Sequence, residues 1–370
     1  MPAASVTLKS YEVKNLKLKG YEVTKNTGMN ENISAIRAQA HIHHAYFLGL
    51  QLIVSSQCSK AEVGDWMFRL FRRQHLDKFL SSFNKLGLNG LPGAVACAKY
   101  HALSNSMGGV GVEYIYESDS KAWVRFRYPR WMYHGPTLCG IPVEVSRGFL
   151  NGWYAHNGIS LGNPRLGFVC VSEDMTGDFG LCGYFKEYDH ELAEDERLQF
   201  AKGELPPPFI SDDQPAPPQG QWGEARLAKA NRNYALDYIR NGLSALTSVA
   251  GESKCRHLAG RAARLIGLQY FAETASMIGA VDGALEDAAD YLKVMFEGMG
   301  DEVSLEVNSQ GIALRQTGLR ILRDLADQEA MLIFDCWTEL WRGTASSQRQ
   351  IKTLDVERTG NEAVWQLSLR

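Results

Sequence analysis

Long apolar runs are missing from this sequence. No stretch of about 18 consecutive apolar residues occurs, which is the length that a membrane-spanning helix needs. Residues 1–20 alternate lysines with apolar residues and lack the continuous apolar stretch of a signal peptide. Basic residues are not in excess either: the formal net charge is −3, whereas general nucleic-acid binders are usually basic. We therefore expect a cytoplasmic protein that binds neither membranes nor nucleic acid.

Cysteines are few and irregularly placed. The seven cysteines are an odd number and include no CxxC pair. The chain has 370 residues, of which 45% are hydrophobic and 22% charged, so two ordinary domains can bury their own cores without disulfides. Reduced thiols in a cytoplasm are the simplest interpretation.

Prolines cluster in one place. Residues 205–218 contain six of the twelve prolines, and an acidic stretch from Glu191 to Glu196 precedes them. Proline lacks a backbone donor and favours extended geometry, so this segment is predicted to be a semi-rigid linker. The predicted parts are an N-terminal extension (1–32), a first domain (33–192), the linker (193–224) and a second domain (225–370).

The two predicted domains repeat one order of elements. A long helical pattern opens each, from Ile33 to Ser55 and from Ala225 to Val249. A third helix ends at Met107 in the first domain and at Met299 in the second. We interpret this as a tandem duplication of one α+β domain, which would form a pseudo-dimer within one chain.

Alternating apolar residues around Gly, Asn or Ser turns predict two antiparallel hairpins in each domain. The predicted first hairpins join residues 112–117 to 122–126 and residues 303–307 to 312–314. The predicted closing hairpins join 166–171 to 181–185 and 351–356 to 364–369. A further helix, carrying Phe149 and Trp153 in one domain and Ile333 and Trp337 in the other, stands between the hairpins.

Two short motifs accompany this order of elements. The last hairpin of the first domain reads Gly177-Asp178-Phe179-Gly180-Leu181-Cys182, and a strand leads into Arg127-Tyr128-Pro129-Arg130. The chain thereby resembles the superfamily that joins L-2-amino-thiazoline-4-carboxylic acid hydrolases to 4-vinyl reductase domains. The resemblance implies a small pocket between the helices and one sheet face, at a dimer seam. It also implies that one copy of such a pair can lose its pocket, and the first copy is the predicted active one.

The stretch between the two hairpins of the first domain is rich in aromatic and polar residues. Convergent polar groups in an aromatic lining are typical of a binding site. We predict that aromatic side chains bind the substrate, that His134 or His156 is the general base, and that Arg130 holds a carboxylate or oxyanion. Cys139 is the candidate nucleophile, and Glu173 or Asp174 would orient a histidine. The aromatic candidates are Tyr128, Trp131, Tyr133 and Trp153.

A divalent metal is the rival use of the same residues. Thiolate and imidazole groups suit a tetrahedral zinc, iron or manganese site with one open position. The candidate ligands are His134, Cys139, His156 and Cys182. Some vinyl-reductase-type domains hold zinc with Cys and Glu around the last hairpin. In this chain Glu173 is present but Thr176 stands three residues later, so that family-type zinc site is not expected.

His43 falls on the apolar stripe of the first predicted helix. Ile36, Ala40, Phe47 and Leu50 share that stripe at helical spacing, so His43 points inward. A histidine in this position is usually a core residue satisfied by a hydrogen bond. The alternative is that His43 orients a substrate in the pocket that the resemblance implies.

These features favour a hydrolase that cleaves a C–N bond in a small organic substrate, which would be amide-like or cyclic and aromatic or carboxylate-bearing. The alternative is a non-catalytic sensor or carrier of the 4-vinyl reductase type, and a third interpretation is a subunit that acts only with a partner protein. No separate output domain is evident, which favours the enzyme. A homodimer is a further expectation.

Overall fold

Helices and strands follow the same order on both sides of the proline-rich segment. A computed structural model describes residues 32–176, 178–217, 222–350 and 352–369. We call residues 32–217 the first half and residues 222–369 the second half. Most of the predicted N-terminal extension lies outside the described residues, as do Gly177 of the Gly-Asp motif and Ile351 of the last hairpin.

The first half contains three long helices, a hairpin, two short helices and a second hairpin. Helix α2 begins with a capping box, because Ser59 accepts from the backbone N–H of Glu62 and Glu62 accepts from that of Ser59. The elements are α1 (Ile33–Gln57), α2 (Lys60–Lys85), α3 (Gly93–Met107), β1 (Val112–Ser118), β2 (Lys121–Phe126), α4 (Val143–Gly152), α5 (Asn157–Ser160), β3 (Leu166–Ser172), β4 (Cys182–Glu187) and β5 (Leu198–Phe200).

The second half repeats this order with one helix fewer and no fifth strand. Its elements are α6 (Glu224–Ala250), α7 (Glu252–Ile278), α8 (Leu285–Met299), β6 (Glu302–Asn308), β7 (Gly311–Thr317), α9 (Asp327–Ser346), β8 (Lys352–Thr359) and β9 (Glu362–Leu369). These bounds lie within a few residues of the predicted helices and hairpins. The common origin of the two halves stays a prediction.

Each half carries one sheet. The first sheet has the strand order β1-β2-β4-β3-β5 and is antiparallel except for the parallel pair β3 and β5. The second sheet has the order β6-β7-β9-β8 and is antiparallel throughout. Helices packed with two largely antiparallel sheets confirm the predicted α+β class.

Residues of the predicted linker also pair with both edges of the first sheet. Residues 198–200 form β5 on the edge of β3, so the first sheet extends beyond the predicted domain boundary at residue 192. Gln214 covers the opposite edge, because its side chain accepts from the backbone N–H of Tyr114 at 3.0 Å and donates to the Tyr114 carbonyl at 2.8 Å. The sequence did not predict these contacts, since a three-residue strand leaves little pattern in a sequence.

The first helix of each half packs into the other half. α1 contacts α6, α7 and α8, while α6 contacts α2. Tyr46 on α1 donates to the carbonyl of Ala259 at 3.1 Å, and Trp66 on α2 donates to the carbonyl of Gly242 at 2.7 Å. One apolar core therefore runs through both halves, and the described residues from Asn32 onward form one compact unit. No helix in the described part of the chain combines the length and apolar character needed to cross a bilayer.

The crossing of α7 and α9 requires two glycines. A Cβ atom added at Gly267 would lie 2.0 Å from the carbonyl oxygen of Leu340 and 2.9 Å from the Cα of Gly343. Both distances are far below van der Waals contact, so the two backbones could not approach as they do.

We predict that Gly267→Ala lowers the free energy of unfolding by about 3 kcal/mol, because overpacking forces the helices apart. Gly260→Ala on the same helix is the matched control, since its added Cβ would lie an ordinary 3.6 Å from Glu339. That control should stabilise the protein by roughly 0.5–1 kcal/mol through helix propensity. Urea denaturation measures both, and equal effects would contradict the proposed close packing.

Candidate functional site

A small cavity lies where α6 of the second half meets α2, α3 and α4 of the first half. Its volume is about 30 Å³, enough for water but not for an organic ligand without side-chain movement. The lining residues are mostly aromatic or neutral polar: Phe71, Gln74, Tyr100, His101, Ser104, Asn105, Gly108, Val110, Trp131, Phe149, Trp153, Tyr234 and Tyr238.

Helical spacing places the polar lining. His101, Ser104 and Asn105 on α3, and Gly108 directly after it, follow one another at intervals of three, one and three, so they share one face. Opposite them, Tyr234 and Tyr238 are one turn apart on α6, and the Tyr234 hydroxyl lies 2.7 Å from the Ser104 hydroxyl. The polar stripe on an otherwise apolar α3 was the sequence signal for this site, and the sequence prediction missed it.

No lining side chain in the described chain is Asp, Glu, Lys or Arg. Burial lowers the pKa of His101 well below 6.5, with a further contribution from His75, so the imidazole is neutral. Its Nε2 lies 2.7 Å from the Asn157 amide nitrogen, and its ring stacks on Tyr154 at 3.8 Å between centroids. The cavity therefore offers neutral hydrogen-bonding groups in an aromatic lining.

Several polar groups at the cavity are not satisfied by the protein. The indole N–H groups of Trp131 and Trp153 are buried and have no hydrogen-bond partner among the described residues. The Tyr154 hydroxyl, which packs behind His101, is in the same situation. Because buried polar groups are nearly always hydrogen-bonded, water or a ligand is expected to bind these groups. Trp131 and Trp153 are the two predicted substrate-binding residues that line this cavity.

The other aromatic and charged candidates form a separate network around the buried pair of Arg130 and Asp174. Arg130 lies 3.1 Å from Asp174 and is fully buried with it. The Tyr128 hydroxyl donates to the same carboxylate, and the Arg130 guanidinium lies 4.8 Å from the ring centroid of Tyr133. Ser146 donates to the second oxygen of Asp174 at 3.3 Å. The charge predicted to hold a substrate carboxylate is thus already neutralised inside the protein.

Glu173 binds an arginine and not a histidine. Its two carboxylate oxygens accept from Arg147 at 2.8 and 3.0 Å, and its side chain is buried while that of Arg147 is half exposed. Within the described chain, neither Glu173 nor Asp174 is hydrogen-bonded to a histidine. The predicted role of orienting a histidine therefore has no geometric support at either position.

The predicted nucleophile and base lie outside the cavity. His134 and Cys139 are exposed on the connection between β2 and α4, and neither lines the cavity. His156 is half-buried beside His75, with 5.2 Å between ring centroids. No hydrogen bond joins Cys139 to a histidine among the described residues. The thiolate–imidazole pair predicted from the sequence is not assembled in this structure.

The candidate metal ligands are also dispersed. Cys182 is buried on the outer face of the first sheet with Trp123 and Tyr184, and burial raises the pKa of its thiol to about 12. His134 and Cys139 are exposed on their loop. In the residues that the structure describes, no three His, Cys, Asp or Glu side chains are grouped so as to hold a metal ion. The predicted donor set is therefore not brought together in this structure, and a bound metal stays a prediction.

His43 reaches the core of the second half. Its Nδ1 lies 2.8 Å from the Gln39 carbonyl, and its Nε2 accepts from the indole N–H of Trp337 at 2.9 Å. Both ring nitrogens are therefore occupied by the protein. Burial lowers the pKa of His43 to about 4, because desolvation outweighs the hydrogen bond to Gln39. The sequence predicted an inward-facing histidine, but not that α1 delivers it to the other half.

One Ser–His contact was not anticipated. Gly158-Ile159-Ser160-Leu161-Gly162 matches the GxSxG pattern of serine hydrolases, and the Ser160 hydroxyl lies 2.8 Å from Nε2 of His75. The pattern belongs to α5 and the turn after it, however, and not to a strand-to-helix elbow. Nδ1 of His75 is buried without a partner, and burial lowers the pKa of His75 to about 3. His75 is therefore a poor general base, because its pKa is low and no described carboxylate orients its imidazole.

Comparison with family models, curated proteins and solved structures finds no match to this chain. The resemblance to the thiazoline-carboxylate hydrolase and 4-vinyl reductase group therefore stays a prediction. Any function proposed for the chain has to rest on the cavity itself.

The buried histidines make stability depend on pH. The unfolded chain protonates His43 near its ordinary pKa of 6.5, whereas the folded protein does so only near pH 4. Between these values the unfolded state binds more protons, so stability is lost as the pH falls through this window.

Between pH 7 and pH 5, we predict that the free energy of unfolding falls by about 2 kcal/mol more in the wild type than in His43→Gln. The difference grows by about 1.4 kcal/mol for each pH unit below 6.5. Urea denaturation at the two pH values measures the difference. His257→Gln, at an exposed position on α7, is the control and should follow the wild type. Parallel losses in all three proteins would contradict a neutral buried His43.

Proposed function

We propose that this chain binds a small, uncharged aromatic molecule in the cavity between α2, α3, α4 and α6, as a carrier or sensor. The observation that carries the proposal is the lining, which combines aromatic rings with neutral polar groups and contains no charged side chain. An aromatic ligand would stack against these rings. A neutral hydrogen-bonding group on it would satisfy the indole N–H groups that now lack partners.

Entry requires a lining side chain to move, and Trp131 is the best placed. It belongs to the short segment between β2 and α4, is half-buried, and lies between Tyr238 on one side and His44 on the other. His44 also lines an open groove of about 640 Å³ between α1 and α6. A rotation of the Trp131 indole would therefore connect the cavity to this groove.

A hydrolase receives less support from the same geometry. Among the described residues the cavity holds one histidine, His101, and its Nε2 is already beside Asn157. The lining contains no thiol and no carboxylate, and its single serine, Ser104, is hydrogen-bonded to Tyr234. Cleavage of a C–N bond remains the prediction made from the sequence, with the exposed Cys139 as its nucleophile.

Indole and indole-3-carboxylate form a matched pair of probes, because they differ only by a carboxylate. We expect indole to bind, and the carboxylate to bind at least about tenfold more weakly, since burial of an unpaired anion costs several kcal/mol. Isothermal titration calorimetry measures both. Val110→Phe should abolish indole binding by filling the cavity, provided that its thermal unfolding shows a folded protein.

Cys139→Ser is the matched control, because this exposed side chain lies outside the cavity and should leave indole affinity unchanged. Equal affinity for the two probes, or unchanged binding in Val110→Phe, would contradict the proposed site.

A serine-directed fluorophosphonate probe tests the hydrolase alternative at Ser160. We expect no labelling, because the neighbouring His75 is a weak base that no carboxylate orients. Labelling of the wild type that Ser160→Ala removes would instead identify a serine hydrolase. Mass spectrometry of the intact protein gives the answer directly.

A further inference from the structure

The two sheets end differently at equivalent strands. In the first sheet the outer edge of β3 is paired with β5, from Phe168 with Leu198 to Cys170 with Phe200. In the second sheet β8 is an edge strand, and no described segment pairs with its outer side. An edge strand presents unpaired N–H and C=O groups, which are a template for another extended chain.

The open side of β8 can be identified from one contact. The Leu354 carbonyl accepts from Nε of Arg342 at 3.2 Å, and Arg342 lies on α9 rather than on β9. In an antiparallel pair, every second residue directs its backbone groups to the same side. The backbone groups of Val356 and Arg358 therefore face away from β9 as well, and the described hydrogen bonds leave them unpaired.

A groove runs beside this edge, between β8 and the helices α7 and α9. Two adjoining hollows of about 280 and 550 Å³ share Arg342 as a wall. Their apolar surface comes chiefly from Met331, Phe334 and Val356. Five cationic and three acidic side chains line them, an excess of two positive charges: Arg256, Arg264, Arg342, Lys352 and Arg358 against Asp335, Glu339 and Asp355.

Three of these arginines have too few acidic partners within the described chain, whereas Arg256 is paired with both Glu252 and Asp335. Arg264 and Arg342 share the single carboxylate of Glu339, at 3.1 and 2.7 Å. Arg358 has no ion pair among the described residues; its guanidinium lies over the ring of Phe334 and donates to the Gly360 carbonyl. Lys352 is buried, donates to the Gly283 carbonyl at 3.4 Å and interacts with Asp282 and Asp287, so it does not add to this shortage of acidic partners. Guanidinium groups with spare donors favour carboxylates.

We propose that β8 and this groove bind an extended acidic segment of a partner protein, which adds to the second sheet as a fifth strand in the way that β5 adds to β3. Leu354 is buried on the helix-facing side of the sheet, so Val356 and Arg358 share that side at period two. Every second side chain of the added strand therefore faces the arginines. Glutamate or aspartate at those positions completes the ion pairs, and backbone hydrogen bonds supply the rest.

A fluorescein-labelled peptide of alternating threonine and glutamate is the probe, and alternating threonine–lysine and threonine–glutamine peptides are its controls. Fluorescence anisotropy with the full chain should show binding of the glutamate peptide, weakened by salt, and none of the lysine peptide. Arg358→Glu should weaken binding about fivefold or more, the size of one lost surface ion pair.

Val356→Pro tests the strand addition itself. Proline removes the outward N–H of Val356 but is tolerated on the open side of an edge strand, so it should abolish binding without unfolding the sheet. Val356→Ala keeps the N–H and should retain most of the affinity. If thermal unfolding shows that Val356→Pro does not fold, the lysine peptide and Arg358→Glu decide the question.

Three results would overturn the proposal: equal binding of the glutamate and lysine peptides, unchanged binding by a folded Val356→Pro, or unchanged binding by Arg358→Glu. A wild-type dimer that Val356→Pro converts to a monomer in light scattering would also overturn it, by showing that a second copy of this chain is the occupant.

Discussion

The exchange of first helices between the halves is the constraint on which the rest of the structure depends. α1 buries its residues against α6, α7 and α8, and α6 packs against α2. The two halves share one apolar core, and Tyr46 and Trp66 each donate a hydrogen bond to a carbonyl of the second half. The proline-rich segment therefore joins two halves that pack as one compact unit.

The same exchange explains where the aromatic cavity of the first half lies. α6 brings Tyr234 and Tyr238 to the first half, where they face the polar stripe of α3 across unfilled space. α1 brings His43 to the second half, where its ring meets Trp337 and lies 6.2 Å from Trp341. Indole and imidazole rings pack together there, and the Trp337 indole N–H is satisfied by His43. That the second copy is degenerate stays a prediction.

Local pattern was enough to predict the elements of the fold. Alternation around Gly and Asn turns placed all four hairpins, and helical spacing placed α1 and α6 within two residues of their observed bounds. It could not show which helices pack together, because an apolar stripe is the same whether its partner lies in the same half or the other. His43 illustrates this: its inward direction followed from spacing, whereas its partner Trp337, 294 residues away, did not. The sequence did not predict β5, because three residues carry too little periodicity.

The site was harder to predict because reactive side chains form ion pairs and hydrogen bonds with residues that are distant in the sequence. The sequence suggested substrate chemistry for Arg130, Asp174 and Tyr128. They form one network, in which the buried Asp174 carboxylate neutralises the Arg130 guanidinium and accepts from Tyr128. Removing a charge from water is tolerable only when such a partner is present, so buried charges tend to pair with each other before they can serve a ligand. What remains for a ligand is the neutral stripe of His101, Ser104 and Asn105, whose amide, hydroxyl and uncharged imidazole can stay buried without a counterion. Because Arg130 and Asp174 pair with each other, they are not available for the predicted chemistry. The cavity is therefore suited to uncharged molecules.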